Sequence, residues 1–371
     1  MIPFNKPYFP KIAAEYLSQA YNENELYRGK FYNKCTEILN KKFNFNHIIP
    51  TPSCTSALEF VARLINIKQN DEVIIPAYTY VATANAFASF GAKIVFADSE
   101  IETPNISPAS IKKLINKKTK AIVLVHYGGY ACQIDEIKKI IKNSKRKIFL
   151  IEDAAHALGT KYKEKYIGND SDFATFSFHE TKNINCGQGG ILVINNAEYI
   201  ERAEIIKENG TNRKIFLENK ADKYTWLDIG SNYNLNELSC AILYAGLQET
   251  EEINKKRKKL CRYYYDSLLQ IKHIELPPLD YIENNNGHIF YIISKSRKMK
   301  EDIINKLNIA GVQAASHYEV LHKTPYFLTN FDKIKLKNAE KFSNQLVRLP
   351  LYYTLTTREI DKIVATLKTI I

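Results

Sequence analysis

The chain has 371 residues, 45% hydrophobic and 25% charged, which are the proportions of a globular protein of one large domain or two. No apolar run reaches the ~18 residues of a membrane helix. The opening MIPFNKPYFPKIAAEYL also lacks the order of a secretion signal, so a cytoplasmic protein is expected. Net charge is +12, but the excess sits in IKKLINKKTK, IKKIIKNSKRK and INKKRKKL, where lysine alternates with Ile and Leu at helical spacing. Such stretches are solvated helix faces, and no nucleic-acid-binding signature accompanies them.

From about residue 50 to 195, short apolar runs alternate with helical stretches. EVIIP (72–76), KIVFAD (93–98), AIVLVHY (121–127), IFLIED (148–153), FATFSF (173–178) and GILVIN (190–195) read as strands. SALEFVARLIN, VATANAFASF, SPASIKKLIN and QIDEIKKIIKN read as helices between them. Strands apolar throughout and separated by helices predict an α/β fold with a mainly parallel sheet covered on both faces. The texture changes after about residue 235. A long helical pattern runs from NELSCAIL to SLLQI and stops before the two prolines of HIELPPLD. Next come a polar loop ENNNG (283–287), a strand HIFYIIS, a helix KEDIINKLNIAG, a loop HYEVLHKTPYF and a final helix TTREIDKIVATLKTI. These divide the chain into a large domain, 1–240, and a smaller α+β domain, 241–371. Six scattered cysteines without C-x-x-C spacing predict reduced, mostly buried thiols rather than a zinc site or disulfides.

In an open α/β sheet, ligands gather at the carboxyl ends of the strands. TPSCTSALEF (51–60) puts Thr55 and Ser56 at a helix start, where free N–H groups and the positive dipole end suit a phosphate, or where a hydroxyl simply caps the helix. FLIEDAAHALG puts Glu152 and Asp153 at a strand end; a carboxylate there is a metal ligand, a catalytic acid, a helix cap or the partner of a cationic ring nitrogen. No second cluster has metal-ligand spacing, so metal is disfavoured, and His156 reads equally as a satisfied helix histidine. SFHETKN then supplies Ser177 and Lys182 at the next strand end. Alone, Lys182 is a surface charge. Partly desolvated, its amine is neutral enough to form a Schiff base with an aldehyde. A phosphate cradle, a strand-end acid and a strand-end lysine, in that order, are the set that pyridoxal 5′-phosphate (PLP) requires.

The chain resembles the DegT/DnrJ/EryC/StrS sugar aminotransferases, PLP enzymes of the aspartate-aminotransferase-like fold type I. The blocks that carry the resemblance include TPSCTSALEF, DEVIIPAYTYVATANAF, VHYGGYACQIDEI, IEDAAHALG, FSFHETKNI, GQGGILVIN, HYEVLH and RLPLYYTL, and they span nearly the whole chain. SFHETKN and the GTNR and DKYTWLDIGS segments are most similar to the branch that makes dTDP-4-amino-4,6-dideoxygalactose. The resemblance implies that Lys182 is the Schiff-base lysine, Asp153 faces the pyridinium nitrogen, Tyr80 stacks on the ring and His156 lies beside the ring oxygen. It further implies that Thr55, Ser56 and Ser177 hold the phosphate and that Asn232 reaches the phosphate of a neighbouring subunit, hence a homodimer with shared active sites. His317, Tyr318 and His322 are expected near the sugar, and Arg213 and Lys223 are candidate anchors for its diphosphate. The implied reaction moves the amino group of L-glutamate to C4 of a nucleotide-linked, dTDP-type 4-keto-6-deoxyhexose for surface polysaccharide (lipopolysaccharide O-antigen) synthesis. Amination at C3, a UDP-linked substrate and a non-enzymatic PLP-fold binding protein are the alternatives. A sugar dehydratase of the same fold would carry histidine where Lys182 stands. Three departures are visible: Gln188 replaces a common acid in Gly187-Gln188-Gly189-Gly190, Asn234 replaces a common arginine after Asn232-Tyr233, and HYEVLH lacks a common proline.

Overall fold

A computed structural model describes residues 1–23, 26–217, 220, 222–330 and 333–371. The six apolar runs all form strands, and a seventh joins them: β1 (His47–Thr51), β2 (Glu72–Pro76), β3 (Lys93–Ala97), β4 (Thr119–Val125) and β5 (Phe149–Asp153) precede the small hairpin of β6 (Lys161–Tyr162) and β7 (Lys165–Tyr166), and β8 (Phe173–Ser177) and β9 (Gly190–Ile194) follow it. The large sheet has the order β1-β9-β8-β5-β4-β2-β3. Every neighbouring pair is parallel except the two that involve β9, which runs against both β8 and β1. The sequence reading lacked β1 because Pro50 sits inside it. A proline is tolerated here because β1 is an edge strand and Pro50 lends only its carbonyl, which accepts from Leu235 N at 3.1 Å.

Alternation along the strands sends residues to two separate cores. Val73 and Ile75 pack on one face with Val123, Ile151 and Leu192, while Ile74 packs on the other with Ile122, Leu150 and Val193. Helices α1 (Ile12–Asn22), α2 (Lys30–Phe43), α3 (Cys54–Leu64), α4 (Val81–Ala88), α5 (Pro108–Leu114), α6 (Ile134–Asn143), α7 (Ile200–Ile206) and α8 (Arg213–Leu217) come before residue 235. Leu58 and Val61 of α3 cover the first face; Phe31 and Leu39 of α2 and Ile134 and Ile137 of α6 cover the second. The expected long helix is two: α9 (Glu237–Gln248), capped by Asn236, and α10 (Thr250–Leu268), joined at Glu249. Cys240 and Leu243 of α9 join the second core, whereas Leu260, Tyr264 and Leu268 of α10 join the first. The break at Glu249 lets one run of chain serve both faces.

The remainder contains α11 (Leu279–Asn284), α12 (Arg297–Ile309), α13 (Pro325–Asn330), α14 (Lys337–Gln345) and α15 (Thr357–Ile370), and an antiparallel sheet of β10 (Ile274–Glu275), β11 (Phe290–Ser294) and β12 (Leu346–Leu349), with β11 in the middle. Residues on both of its faces, Tyr291 and Ile293 on one and Ile292 and Val347 on the other, belong to the first core, so the two sheets share one apolar interior. The ENNNG segment, expected as a polar loop, is buried at Asn285 and Asn286. Asn286 Nδ2 donates to the carbonyls of His156 (2.8 Å) and Leu158 (3.1 Å), and Arg257 of α10 donates to the carbonyls of Gly287 and His288. The asparagines here replace the backbone bonds that a buried loop lacks. Among the described residues, no helix is long and apolar enough to cross a membrane.

Candidate active site

The parallel strands all end at one edge of the large sheet, and β9, running the other way, begins there. The 12-residue connection from β8 to β9 therefore lies over the carboxyl ends, and Lys182 is on it. This connection is bonded to itself: Phe178 N to Gly189 O (2.8 Å), Glu180 N to Gly187 O (2.8 Å), Lys182 N to His179 O (2.8 Å) and Cys186 N to Phe178 O (3.0 Å). Gly187 supplies the left-handed turn, with φ of 81°. Gly190 is fixed by crowding instead: a Cβ there would lie 2.5 Å from Cys54 N and from the carbonyl carbon of Ser53, at the start of α3.

A cavity of about 720 Å³ opens at this edge. Thr55, Tyr80, Asp153, His156, Ser177, Lys182, His317 and Tyr318 line it, together with Gln188. Asp153 ends β5. Its neighbour Glu152 points to the opposite face, where His126 Nε2 lies 2.9 Å from Glu152 Oε2 and Ser171 donates to Oε1 at 2.6 Å. Strand alternation thus resolves which of the two acids faces the cavity. Asp153 accepts from Thr83 Oγ1 at 2.8 Å and from Ala155 N at 3.2 Å; its pKa is raised by burial, partly offset by those bonds and by Lys182. Burial holds the Lys182 amine down to about 8, and the Arg348 guanidinium pushes the same way while Asp153 opposes both.

At the start of α3 the cap is Ser53, a residue the sequence reading passed over. Its Oγ accepts from Ser56 N (3.0 Å) and lies 2.9 Å from Ser56 Oγ. Thr55 borders the cavity; Ser56 is half-buried against this cap. Tyr80 precedes α4 and is 60% exposed, leaving its ring free to lie over a planar ligand. Ser177 Oγ, at the end of β8, accepts weakly from His179 N at 3.4 Å.

The opposite wall is a cluster of imidazoles. His156 and His288 have ring centroids 4.5 Å apart, and His156 and His317 have centroids 6.0 Å apart. All three are held well below the usual histidine range, first by burial and then by nearby cations, including Lys182 and Arg348. They are neutral near pH 7, and their bonds assign two tautomers. Gly128 N donates to His156 Nδ1 at 3.3 Å, so Nε2 carries the His156 proton. His288 Nδ1 lies 3.0 Å from Asn183 Oδ1, whose amide nitrogen donates elsewhere, so His288 is protonated at Nδ1. His317 Nδ1 is 2.7 Å from Tyr127 Oη, and the His317 ring stacks on Tyr318 at 3.6 Å.

Besides Ser56, which is turned to the Ser53 cap and does not line the cavity, four expected residues are not brought to it. His322 is fully buried beside Phe96, with Nε2 3.2 Å from Glu340 Oε1, so it braces the packing of α14 rather than the sugar site. Burial and the anchoring of Leu321 N on Ala77 O (3.0 Å) turn it away. Asn232 is exposed in a bridge with Glu208. Arg213 stacks over Tyr27, with its guanidinium carbon 5.0 Å from the ring centroid, and Lys223 is exposed on a loop tied to Asn212. Conversely, sequence reading did not single out Thr83, Tyr127, His288, Arg348 or the amino-terminal Phe4. His288 follows ENNNG and Arg348 opens RLPLYYTL, both segments noted for other reasons. No local pattern marked them, because the fold alone carries them from the second sheet to the edge of the first.

The donor set suits PLP. A buried carboxylate with raised pKa is stabilised by a ring N–H⁺, a desolvated lysine gives up its proton more readily than a surface one and so can form a Schiff base, and a helix start with two nearby hydroxyl residues takes the phosphate. Comparison with known proteins agrees. A profile of the DegT/DnrJ/EryC1/StrS aminotransferase family matches residues 10–368. An uncharacterized protein of Methanocaldococcus jannaschii, MJ1066, is 30% identical over 99% of this chain and 98% of its own. The PMP form of Spr1654 from Streptococcus pneumoniae superposes with a TM-score of 0.93 at 23% identity, covering 100% of this chain and 99% of that one. PseC of Helicobacter pylori, an aminotransferase involved in the biosynthesis of pseudoaminic acid, superposes with a TM-score of 0.90 at 25% identity, covering 99% of this chain and 98% of its own.

Proposed function

We propose, given that the chain belongs to the DegT/DnrJ/EryC1/StrS aminotransferase family and is a PLP-dependent sugar aminotransferase, that it carries the amino group of L-glutamate to C4 of a dTDP-linked 4-keto-6-deoxyhexose. The observation that carries the site assignment is the convergence of Lys182 and Asp153 in one cavity beside the start of α3. When bound, PLP supplies an electron sink for the carbanion formed as a C–H bond breaks. Lys182 holds the cofactor at rest. Displaced by the amino donor, its Nζ takes the proton from the donor α-carbon and later returns one to the sugar C4. A pKa of about 8 suits an amine that must alternate between base and acid near neutrality. Asp153, fixed by Thr83 and Ala155, stabilises positive charge on the ring nitrogen. Tyr80 sets the ring plane and hence the orientation of the scissile bond. Neutral His156 offers its Nε2–H to the ring oxygen. Thr55, Ser56 and Ser177 hold the phosphate, and Asn232 completes that cradle from a second subunit, which fits its exposed position outside its own cavity.

The C4 and dTDP assignments are supported by the SFHETKN, GTNR and DKYTWLDIGS segments, and Arg213 and Lys223 are the proposed anchors for the substrate diphosphate. A role in surface polysaccharide synthesis goes with that substrate. The test is to record the visible band of the purified, PLP-loaded protein, add L-glutamate, and then supply dTDP- and UDP-linked 4-keto and 3-keto sugars. Glutamate should bleach the band, and a dTDP-4-amino sugar should form. Lys182→Ala should abolish both the band and turnover. Formation of a 3-amino or UDP-linked product would replace the substrate assignment, and an unchanged spectrum with glutamate would favour a binding protein.

A further inference from the structure

A second cavity, of about 1040 Å³, takes no part in the proposed reaction. It opens between the β6–β7 hairpin, the loops that follow β3 and β4, and helices α10 and α11. Bonded pairs of residues link it to the catalytic cavity. Asn286 and Asn254 line it; Asn286 Nδ2 donates to His156 O at 2.8 Å, and Asn254 Oδ1 accepts at 2.9 Å from Asn183, the neighbour of Lys182. Thr160 also lines it, and its hydroxyl donates at 2.7 Å to Gly129 O, in the turn whose Gly128 N donates to His156 Nδ1. That turn has no slack: a Cβ on Gly129 would lie 1.9 Å from Asn286 Oδ1 and 2.8 Å from His156 O.

Three groups on the wall find no partner among the described residues. Glu100 is half-buried, accepts no hydrogen bond and meets no cation; burial and the nearby Glu136 and Glu102 raise its pKa. Lys258 of α10 is half-buried and meets no carboxylate, so it and Glu100 do not reach each other. Thr103 is only 8% exposed, yet its hydroxyl makes no hydrogen bond. The other cations of the wall are engaged: Lys163 pairs with Asp135, and Lys161 lies over the Tyr166 ring at 5.0 Å. A half-buried charge without a counter-charge and a buried hydroxyl without a partner both cost free energy that a ligand relieves.

We propose that this cavity is a regulatory site for the amino sugar nucleotide that the enzyme makes, and that filling it slows turnover. This rests on the proposed function. The unanswered groups ask for a ligand with an ammonium at one end, an anion at the other and hydroxyls between. A dTDP-4-amino sugar carries its ammonium on C4, its diphosphate on C1 across the hexose ring, and hydroxyls on the ring. The 4-keto substrate has no ammonium for Glu100. An amino acid would occupy little of a space larger than the catalytic cavity of about 720 Å³. The half-buried rings of Tyr130 and Tyr162 offer faces for the sugar or the base. An occupant that draws on Thr160 or Asn286 displaces the Gly128–Gly129 turn and His156 with it, and Asn183 carries the displacement to Lys182. The brake is the difference in affinity between the displaced and undisplaced arrangements.

The test compares wild type with Glu100→Gln, Thr103→Val and Lys258→Gln, each loaded with pyridoxamine phosphate and dialysed to equilibrium against the dTDP-4-amino sugar. Wild type should bind two molecules per chain, and each variant should hold the second about tenfold or more weakly. Thymidine diphosphate should bind once in all four. Turnover is then measured at saturating L-glutamate, where product no longer competes for the catalytic cavity. Added product should still slow wild type by about fivefold and each variant by less than about twofold, while rates without product agree within about twofold and show that the variants are folded. One product molecule per chain in wild type, or equal inhibition of wild type and variants, overturns the inference. Glutamate that displaces product from the second site would make it an amino-acid site and overturn it too. Wild type that aminates a dTDP-4-keto sugar but binds the product once sinks only the second site. Wild type that aminates no nucleotide sugar sinks the proposed function and this ligand with it.

Discussion

Replacing Lys182 by methionine should make the cofactor-free protein more stable at neutral pH, although it removes the residue on which the chemistry depends. Methionine keeps most of the aliphatic stem and removes the charge. The amine is held at about 8 against an ordinary 10.5, so keeping it protonated in the folded site costs at most about 3 kcal/mol at pH 7. The residue is only half-buried, which leaves the amine some access to water, and a gain of about 2 kcal/mol is the reasonable figure. The sign follows from proton counting. Below pH 8 the amine is charged in both folded and unfolded chains, and folding bears the whole cost. Between about 8 and 10.5 the folded protein has released its proton while the unfolded chain still holds one, so wild-type stability rises with pH relative to the variant. Above 10.5 both are neutral and the difference from charge is gone. Urea unfolding of both cofactor-free proteins from pH 6 to 11 measures this directly. A difference that stayed constant across that range, or a variant less stable at pH 7, would refute the claim that a desolvated charge strains the empty site. A catalytic group that burdens its own fold is a common cost of function.

Two further outcomes follow from the surroundings of the site. Gly190→Ala should force the start of α3 away from β9, because the added carbon would stand 2.5 Å from Cys54 N, and should weaken PLP binding to the cofactor-free protein by about tenfold or more in a fluorescence titration. His322→Gln should cost about 1–2 kcal/mol of stability while leaving the glutamate half-reaction rate unchanged, since its partner is Glu340 and not a ligand. Glu340 is held down to about 2 by Lys323, His322 and Leu336 N against its own burial, so the stability it lends is complete above pH 4.5 and fades as pH falls toward 2; acid unfolding with and without Glu340→Gln reports that window.

Much of the site was legible because its parts are local. The TSAL turn, the strand-end acid and the strand-end lysine each lie at the junction of one element with the next, and such junctions are written in short stretches of sequence. Lys182 and Asp153 are 29 positions apart, but each needed only its own strand to place it at the carboxyl edge. Glu152 and Asp153 show where that kind of reading stops. Two adjacent acids look alike in sequence, and only the pleat, with His126 and Ser171 waiting behind the sheet, sends one inward to the cavity and the other away. His322 shows the same limit: its motif neighbours His317 and Tyr318 enter the site, while five residues on, the chain has already turned into the packing beside Glu340.

The sequence by itself determined the α/β order, the lysine, the acid and the helix start, because strand and helix periodicity and the chemistry of strand ends are properties of contiguous residues. Tertiary structure alone decided the opposite wall. His288, His317, Arg348 and Phe4 come from two loops, a second sheet and the amino terminus, and they meet only because the two sheets share one apolar core. What they create together is a net-positive pocket around Lys182. A field of that kind depends on distances between groups remote in sequence, and those distances come into being only when the chain folds.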